Sequence, residues 1–108
     1  MSERDMVLQK LEQVILERKA NPSDSSYTAS LLQKGTDKIL KKLGEEATEL
    51  VIAGKGGVRA EIVYETADLF YHTLVLLAHN EIPLDDILAE LQKRFGISGI
   101  EEKKSRPV

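Results

Sequence analysis

The chain has no cysteine and no tryptophan. Without thiols it can build neither a disulfide framework nor a thiolate zinc site. Aromatic residues are scarce, with two Phe and three Tyr among 108 residues, so the core must come from Leu, Ile, Val and Ala, which suits helix packing. There is no long basic run, and a net charge of −3 offers no footing for nucleic acid or an anionic membrane as partner. No apolar run approaches membrane-spanning length, and charges interrupt Met1 to Leu11, which argues against a signal peptide. A cytoplasmic protein is the expectation. With 42% apolar and 31% charged residues, residues 1–108 read as one globular domain.

Strand-like alternation is missing as well, and the periodicity that is present is helical. Met6, Val7, Leu11, Val14, Ile15 and Leu16 recur at helical spacing, behind a Ser2 cap with Asp5 in the first turn. That helix should stop near Ala20, where Asn21-Pro22-Ser23-Asp24-Ser25-Ser26 forms a polar breaker. Helix resumes around Thr28, kinks or restarts at Gly35-Thr36 with Thr36 as cap, and runs to about Ala53. Gly54-Lys55-Gly56-Gly57 should end it. A third long helix is predicted from about Val58 to His79, with Asn80 as its stop. Pro83 suits the first turn of the next helix, Asp85 and Asp86 favour its N-terminal dipole, and Gly96 should close it. Residues 97–108 are short and mostly polar, and composition alone reads them as a frayed end. The predicted fold class is all-α, a bundle of four to five helices.

Four carboxylates in two matched pairs, Glu46/Glu49 and Glu65/Asp68, stand out on this background. Each pair is three residues apart in a helix, so both members leave from one side. Acids clustered beside an apolar stripe are costly unless a positive charge sits between them. A hard divalent cation such as Mg²⁺ fits, because it takes oxygen ligands and keeps open positions for phosphate. Along the second long helix, Ile39, Leu40, Leu43, Ala47, Leu50 and Val51 make the predicted core stripe. Glu46 borders that stripe, Glu49 lies further out, and Glu45 faces solvent. Lys38 and Lys42 share the flank of the first acid pair and would receive phosphate charge. The plain alternative is an ordinary surface pair of Lys42 with Glu46, worth a few tenths of a kcal/mol.

The third long helix speaks against that alternative. Ile62, Val63, Thr66, Ala67, Leu69, Phe70, Thr73, Leu74, Leu76 and Leu77 cover more than half its circumference, and Tyr64, Tyr71 and Val75 add bulk on the far side. Such a helix is expected to be buried in a bundle or an oligomer interface. Yet Glu61, Glu65, Asp68 and His72 fall on one narrow stripe within it. Imidazole is a poor first choice for an oxygen-rich Mg²⁺ site, so His72 is expected to touch substrate or to support a carboxylate ligand. His79 reads as a residue complementing the helix dipole.

The spacing Glu46-x-x-Glu49 and Glu65-x-x-Asp68, with a glycine-rich break between, resembles the MazG-like all-α nucleoside triphosphate pyrophosphatase superfamily. The surrounding residues narrow the likeness. Ser26-Tyr27-Thr28-Ala29-Ser30-Leu31-Leu32 and Lys34-Gly35-Thr36-Asp37-Lys38-Ile39-Leu40-Lys41-Lys42 lead into Gly44-Glu45-Glu46-Ala47-Thr48-Glu49. Glu61-Ile62-Val63-Tyr64-Glu65, Ala67-Asp68-Leu69 and Tyr71-His72 follow, and the chain closes on Ser98-Gly99-Ile100-Glu101-Glu102-Lys103 and Ser105-Arg106. Together, from Leu8 to Arg106, they are similar to the phosphoribosyl-ATP pyrophosphatases of histidine biosynthesis. Only Gly54-Lys55-Gly56-Gly57 is richer in glycine than that pattern leads one to expect.

The resemblance implies Mg²⁺-dependent hydrolysis of phosphoribosyl-ATP to phosphoribosyl-AMP and pyrophosphate, in an obligate homodimer of helical bundles. It also implies a free-standing form, since no residues correspond to the cyclohydrolase to which such domains are sometimes fused. In this reading Glu46, Glu49, Glu65 and Asp68 hold one or more Mg²⁺ ions, and Glu45 or Glu49 orients the attacking water. Lys38 and Lys42 stabilise departing charge. The tail then folds over the site or across the dimer, with Lys103 or Arg106 near phosphate, or serves as a structural clasp. A house-cleaning (d)NTP pyrophosphatase and a non-catalytic, metal-binding helical dimer are the competing readings.

Overall fold

The computed structural model describes residues 2–95. A 3₁₀ turn, Arg4–Met6, opens the chain, with Asp5 N–H donating to Ser2 Oγ at 3.3 Å and Ser2 N–H to Asp5 Oδ2 at 3.2 Å; its N-cap is Glu3, so Ser2 is not the helix cap expected of it. Helix α1, Val7–Ala20, follows and stops where expected. The breaker loop then delivers Ser26, whose Oγ accepts from Ala29 N–H at 3.0 Å and starts α2, Tyr27–Lys34. At Gly35 the backbone turns to φ +87°, so α2 and α3 are separate helices rather than one kinked helix. Thr36 is not the cap of α3: its Oγ1 lies 3.0 Å from His79 Nε2, which gives His79 a cross-helix bond beyond its dipole role.

Helix α3, Thr36–Gly56, runs three residues past the expected stop. It ends at Gly57, which takes the left-handed conformation at φ +76° and returns its N–H to Ala53 O at 3.0 Å. Helix α4 spans Arg59–His79 with Asn80 as its cap. Pro83 precedes α5, Leu84–Gln92, instead of lying in its first turn. The first amide of α5 is satisfied from α1, as Leu84 N–H donates to Glu12 Oε2 at 2.7 Å. Helix α5 closes at Gln92, short of Gly96, which lies outside the described residues. No strand occurs among the described residues, and the fold is an all-α bundle.

The core joins Ile15 of α1, Leu31 of α2, Ile39 of α3, Leu74, Val75 and Ala78 of α4, and Leu84 of α5. Two expectations from periodicity are corrected by this packing. Val75, expected on the far side of its helix, is fully buried at the centre, while Val63 and Phe70, expected on the inner stripe, are more than half exposed. A helix apolar nearly all round carries no phase of its own, so the elements packed on it choose the inner face. On α3 the buried stripe is Ile39, Glu46 and Ala53, one heptad apart, whereas Leu40 and Val51 are exposed. The cause is coverage. Helix α2 has eight residues, roughly 12 Å, against 21 residues or roughly 31 Å for α3. The far halves of α3 and α4 therefore pack mainly on each other.

The two glycines near the α3 terminus should respond with opposite signs. Gly54 is inside the helix, and a Cβ at that position would meet only open space, so Gly54→Ala should raise stability by about 0.5–1 kcal/mol. Gly57→Ala forces a side chain into positive φ and should lower it by roughly 1 kcal/mol. Urea unfolding of the two variants checks the pair.

Candidate metal centre

Helices α3 and α4 form an antiparallel hairpin. Thr36 meets His79 near its base, Glu46 meets Asp68, and Glu49 meets Glu65 towards its tip. This register sets the two acid pairs against each other. One oxygen from each of Glu46, Glu49, Glu65 and Asp68 lies within 4.8 Å of all the others. Glu46 is 5% exposed, Glu65 and Asp68 are half-buried, and Glu49 is exposed. The group thus grades from the core to the surface.

Lys42 Nζ is 3.8 Å from Glu46 Oε1 and 3.2 Å from Glu45 Oε2. It bridges the two acids and, by its bond to Glu45, holds that carboxyl below its ordinary range. One lysine cannot balance four carboxylates. Glu46 Oε2 and Glu65 Oε2 are both buried and have no hydrogen-bond partner. An unpartnered carboxylate oxygen is expensive to bury, so such a group must take up a proton or a cation. Glu46 is pushed up to about 7, first by a hydrogen bond it makes to Asp68 when protonated, then by burial and by the charges of Asp68 and Glu49. Glu65 is raised too, chiefly by burial, then by a bond to Glu49 and neighbouring acids. An all-oxygen donor set with orphaned buried oxygens fits a hard divalent cation.

The other residues singled out from the sequence fall as follows. Glu61 joins Glu49, Ile52, Ala53 and Glu65 around a cavity of about 260 Å³ beside the acids. Glu45 is bound to Lys42 and stands outside the group of four. Lys42 but not Lys38 reaches ion-pair distance of Glu46. His72 is buried against Asp68, with Nδ1 2.8 Å from the Asp68 carbonyl oxygen and 3.5 Å from its Oδ1. Lys103 and Arg106, with the rest of the tail, lie outside the described residues. Tyr27, to which the sequence assigns no role, places its hydroxyl 3.0 Å from His72 Nε2. Nothing in the spacing of α2 could reveal a bond to a residue 45 positions away.

A larger cavity, about 380 Å³, lies between α1 and the α4–α5 connection, away from the acids. Two of its polar groups are engaged elsewhere: Glu12 Oε2 accepts from Leu84 N–H, and Lys19 Nζ donates to Ala78 O at 2.8 Å. The acid group is the chemically distinctive site.

A family model described as phosphoribosyl-ATP pyrophosphohydrolase matches residues 8–95. The chain belongs to the phosphoribosyl-ATP pyrophosphohydrolase family. A protein of Geobacter metallireducens named phosphoribosyl-ATP pyrophosphatase is 71% identical over 107 residues, which is 99% of this chain and 98% of that protein. A protein of the same name from Pelobacter propionicus is 61% identical, with 98% of each chain covered. One from Methylococcus capsulatus is 56% identical, over 93% of this chain and 95% of its own length. The family model spans all four acids, so the site lies within the matched region.

The raised Glu46 carboxyl has a consequence for stability. In the fold it keeps its proton to about pH 7, whereas the unfolded chain loses it near 4.5. Between these values the native state binds the additional proton, so stability falls as pH rises through the window. The melting temperature of metal-free protein should decline between pH 5 and pH 8. Glu46→Gln should flatten that decline and melt above the parent at pH 8, as thermal scans with chelator would register.

Proposed function

We propose that this chain hydrolyses phosphoribosyl-ATP to phosphoribosyl-AMP and pyrophosphate, using Mg²⁺ held by Glu46, Glu49, Glu65 and Asp68. The observation that carries the reading is the acid group with its two orphaned buried oxygens, in a chain of this family. Bound there, Mg²⁺ supplies neutralisation of phosphate charge and acidification of a water.

The chain's own residues provide the remainder. Glu49, the exposed member, stands where it can accept a proton from the water that attacks a phosphorus of the α–β linkage. Pyrophosphate leaves with the electrons of the broken P–O bond. Glu45 is engaged by Lys42, which makes Glu49 the better base and leaves Glu45 to hold the lysine in place. Lys42, with Lys38 one turn before it, offers cationic charge to the polyphosphate along the flank of α3. His72 steadies Asp68. Lys103 or Arg106 is assigned to phosphate in the same reading.

A homodimer is part of this reading. Val51, Ile52, Val63, Tyr64 and Phe70 are between 51% and 71% exposed on the outer faces of α3 and α4, an apolar surface that a second copy would cover. No helix among the described residues is long and apolar enough to cross a membrane. The proposed setting is the cytoplasm and the proposed partner a small nucleotide.

Turnover of phosphoribosyl-ATP against a panel of plain and deoxynucleoside triphosphates tests the substrate. The expected result is Mg²⁺-dependent pyrophosphate release selective for phosphoribosyl-ATP. In Glu49→Ala and Asp68→Ala, kcat/KM should fall by at least about 100-fold, roughly 3 kcal/mol of transition-state stabilisation. Preference for a plain dNTP would move the chain to a house-cleaning role. Full activity in both variants would remove the acids from the mechanism.

A further inference from the structure

Tyr27 is the first residue of α2, directly after the Ser26 cap, and half of it is exposed. Its hydroxyl reaches His72 Nε2 at 3.0 Å, while Nδ1 of the same ring lies 2.8 Å from the main-chain oxygen of Asp68. The atoms dictate the direction of both bonds. A carbonyl oxygen only accepts, so Nδ1 carries the hydrogen; neutral imidazole then presents a lone pair at Nε2, to which the Tyr27 hydroxyl donates. His72 cannot offer Nδ1 to a metal while that bond stands.

The ring is held from several sides. It is 3% exposed and sits edge-on to Tyr71, at 5.0 Å between centroids and 87° between planes, and edge-on to Tyr27 at 5.9 Å and 78°. Tyr27 in turn stacks on Tyr71 at 6.3 Å, and the Tyr71 hydroxyl bonds to that of Thr28. The first turn of α2 is therefore tied to α4 by two hydroxyls and a stacked pair. Beyond this assembly lies Asp68, whose Oδ1 is 3.5 Å from His72 Nδ1. Within the group of four acids Asp68 meets Glu46. That contact is a hydrogen bond only while a proton bridges the two acids, and a bound cation would displace the proton.

We propose that Tyr27 is a positioning residue for the metal centre: its hydroxyl fixes the tautomer and rotation of His72, and His72 fixes the Asp68 carboxylate towards Glu46, Glu49 and Glu65. Tyr27 touches neither the cation nor the reacting atoms. Partners of this kind typically alter metal affinity by about 10–100-fold. The inference rests on the metal-centre reading above.

Binding of Mn²⁺ to metal-free protein, followed by calorimetry, tests it in the wild-type chain, Tyr27→Phe, His72→Asn, the double variant and Asp68→Asn. Tyr27→Phe removes a single oxygen, and His72→Asn keeps a donor near the Nδ1 position but loses the acceptor for Tyr27. The expected result is affinity about tenfold weaker in Tyr27→Phe, weakened again by His72→Asn alone, and no weaker in the double variant than in His72→Asn. With substrate, Tyr27→Phe should lower kcat at subsaturating metal and recover at high metal, with KM for substrate unchanged. If Tyr27→Phe binds Mn²⁺ like the wild type while Asp68→Asn does not, or if the two effects add in the double variant, the positioning role is overturned and the metal centre stands. If wild-type protein and Asp68→Asn bind alike, or neither binds, the metal centre itself falls and the positioning role with it.

Discussion

Glu46 carries a carboxylate into a stripe of α3 whose other members, Ile39 and Ala53, are buried and apolar. Much else follows from that placement. A leucine there would have sealed the hairpin and added to its stability. The acid instead leaves one oxygen near Lys42 and buries the other without a partner. The hairpin gains a place for positive charge and gives up some of its own cohesion. Without a cation, protons must occupy that place, and the raised carboxyls of Glu46 and Glu65 express this.

The rest of the bundle supports the hairpin from one end. Helices α1, α2 and α5 build the core around Ile15, Leu31, Val75 and Leu84, close to where α4 ends and α3 begins. Long-range polar bonds concentrate there: Lys19 to the Ala78 carbonyl, Glu12 to the Leu84 amide, Thr36 to His79. The acids lie near the middle of both long helices, at the edge of this well-braced region. They are thereby anchored on the side of Asp68 and His72 and open on the side of Glu49 and Glu61. A polar substrate can approach the open side, and the anchored side limits how the carboxylates spread under mutual repulsion.

Several features are legible in the residues alone. The breaker at Asn21–Ser26, the break at Gly35 and the stop at Asn80 depend on the backbone preferences of those residues, and each separates helices as expected. The preference for Glu46 over Glu45 as the inward acid follows from helical phase alone. Other features need the packed chain. Helix α3 continues through Gly54 and Gly56 because the cost of a helical glycine is small, and only Gly57 takes the left-handed turn. The inner face of α4 cannot be read from a helix apolar on nearly every side, so periodicity puts Val75 outward and Phe70 inward, the reverse of what packing selects.

By itself, then, the sequence determined which segments are helical and that Glu46/Glu49 and Glu65/Asp68 each share a helix face, since both are consequences of 3.6 residues per turn acting over a few neighbours. Tertiary structure alone decided the register of α3 on α4 that brings the four oxygens within 4.8 Å, and the reach of Tyr27 to His72. Those outcomes depend on where whole helices come to rest against one another. That is settled by the summed burial of many apolar side chains across the bundle, which no local spacing encodes.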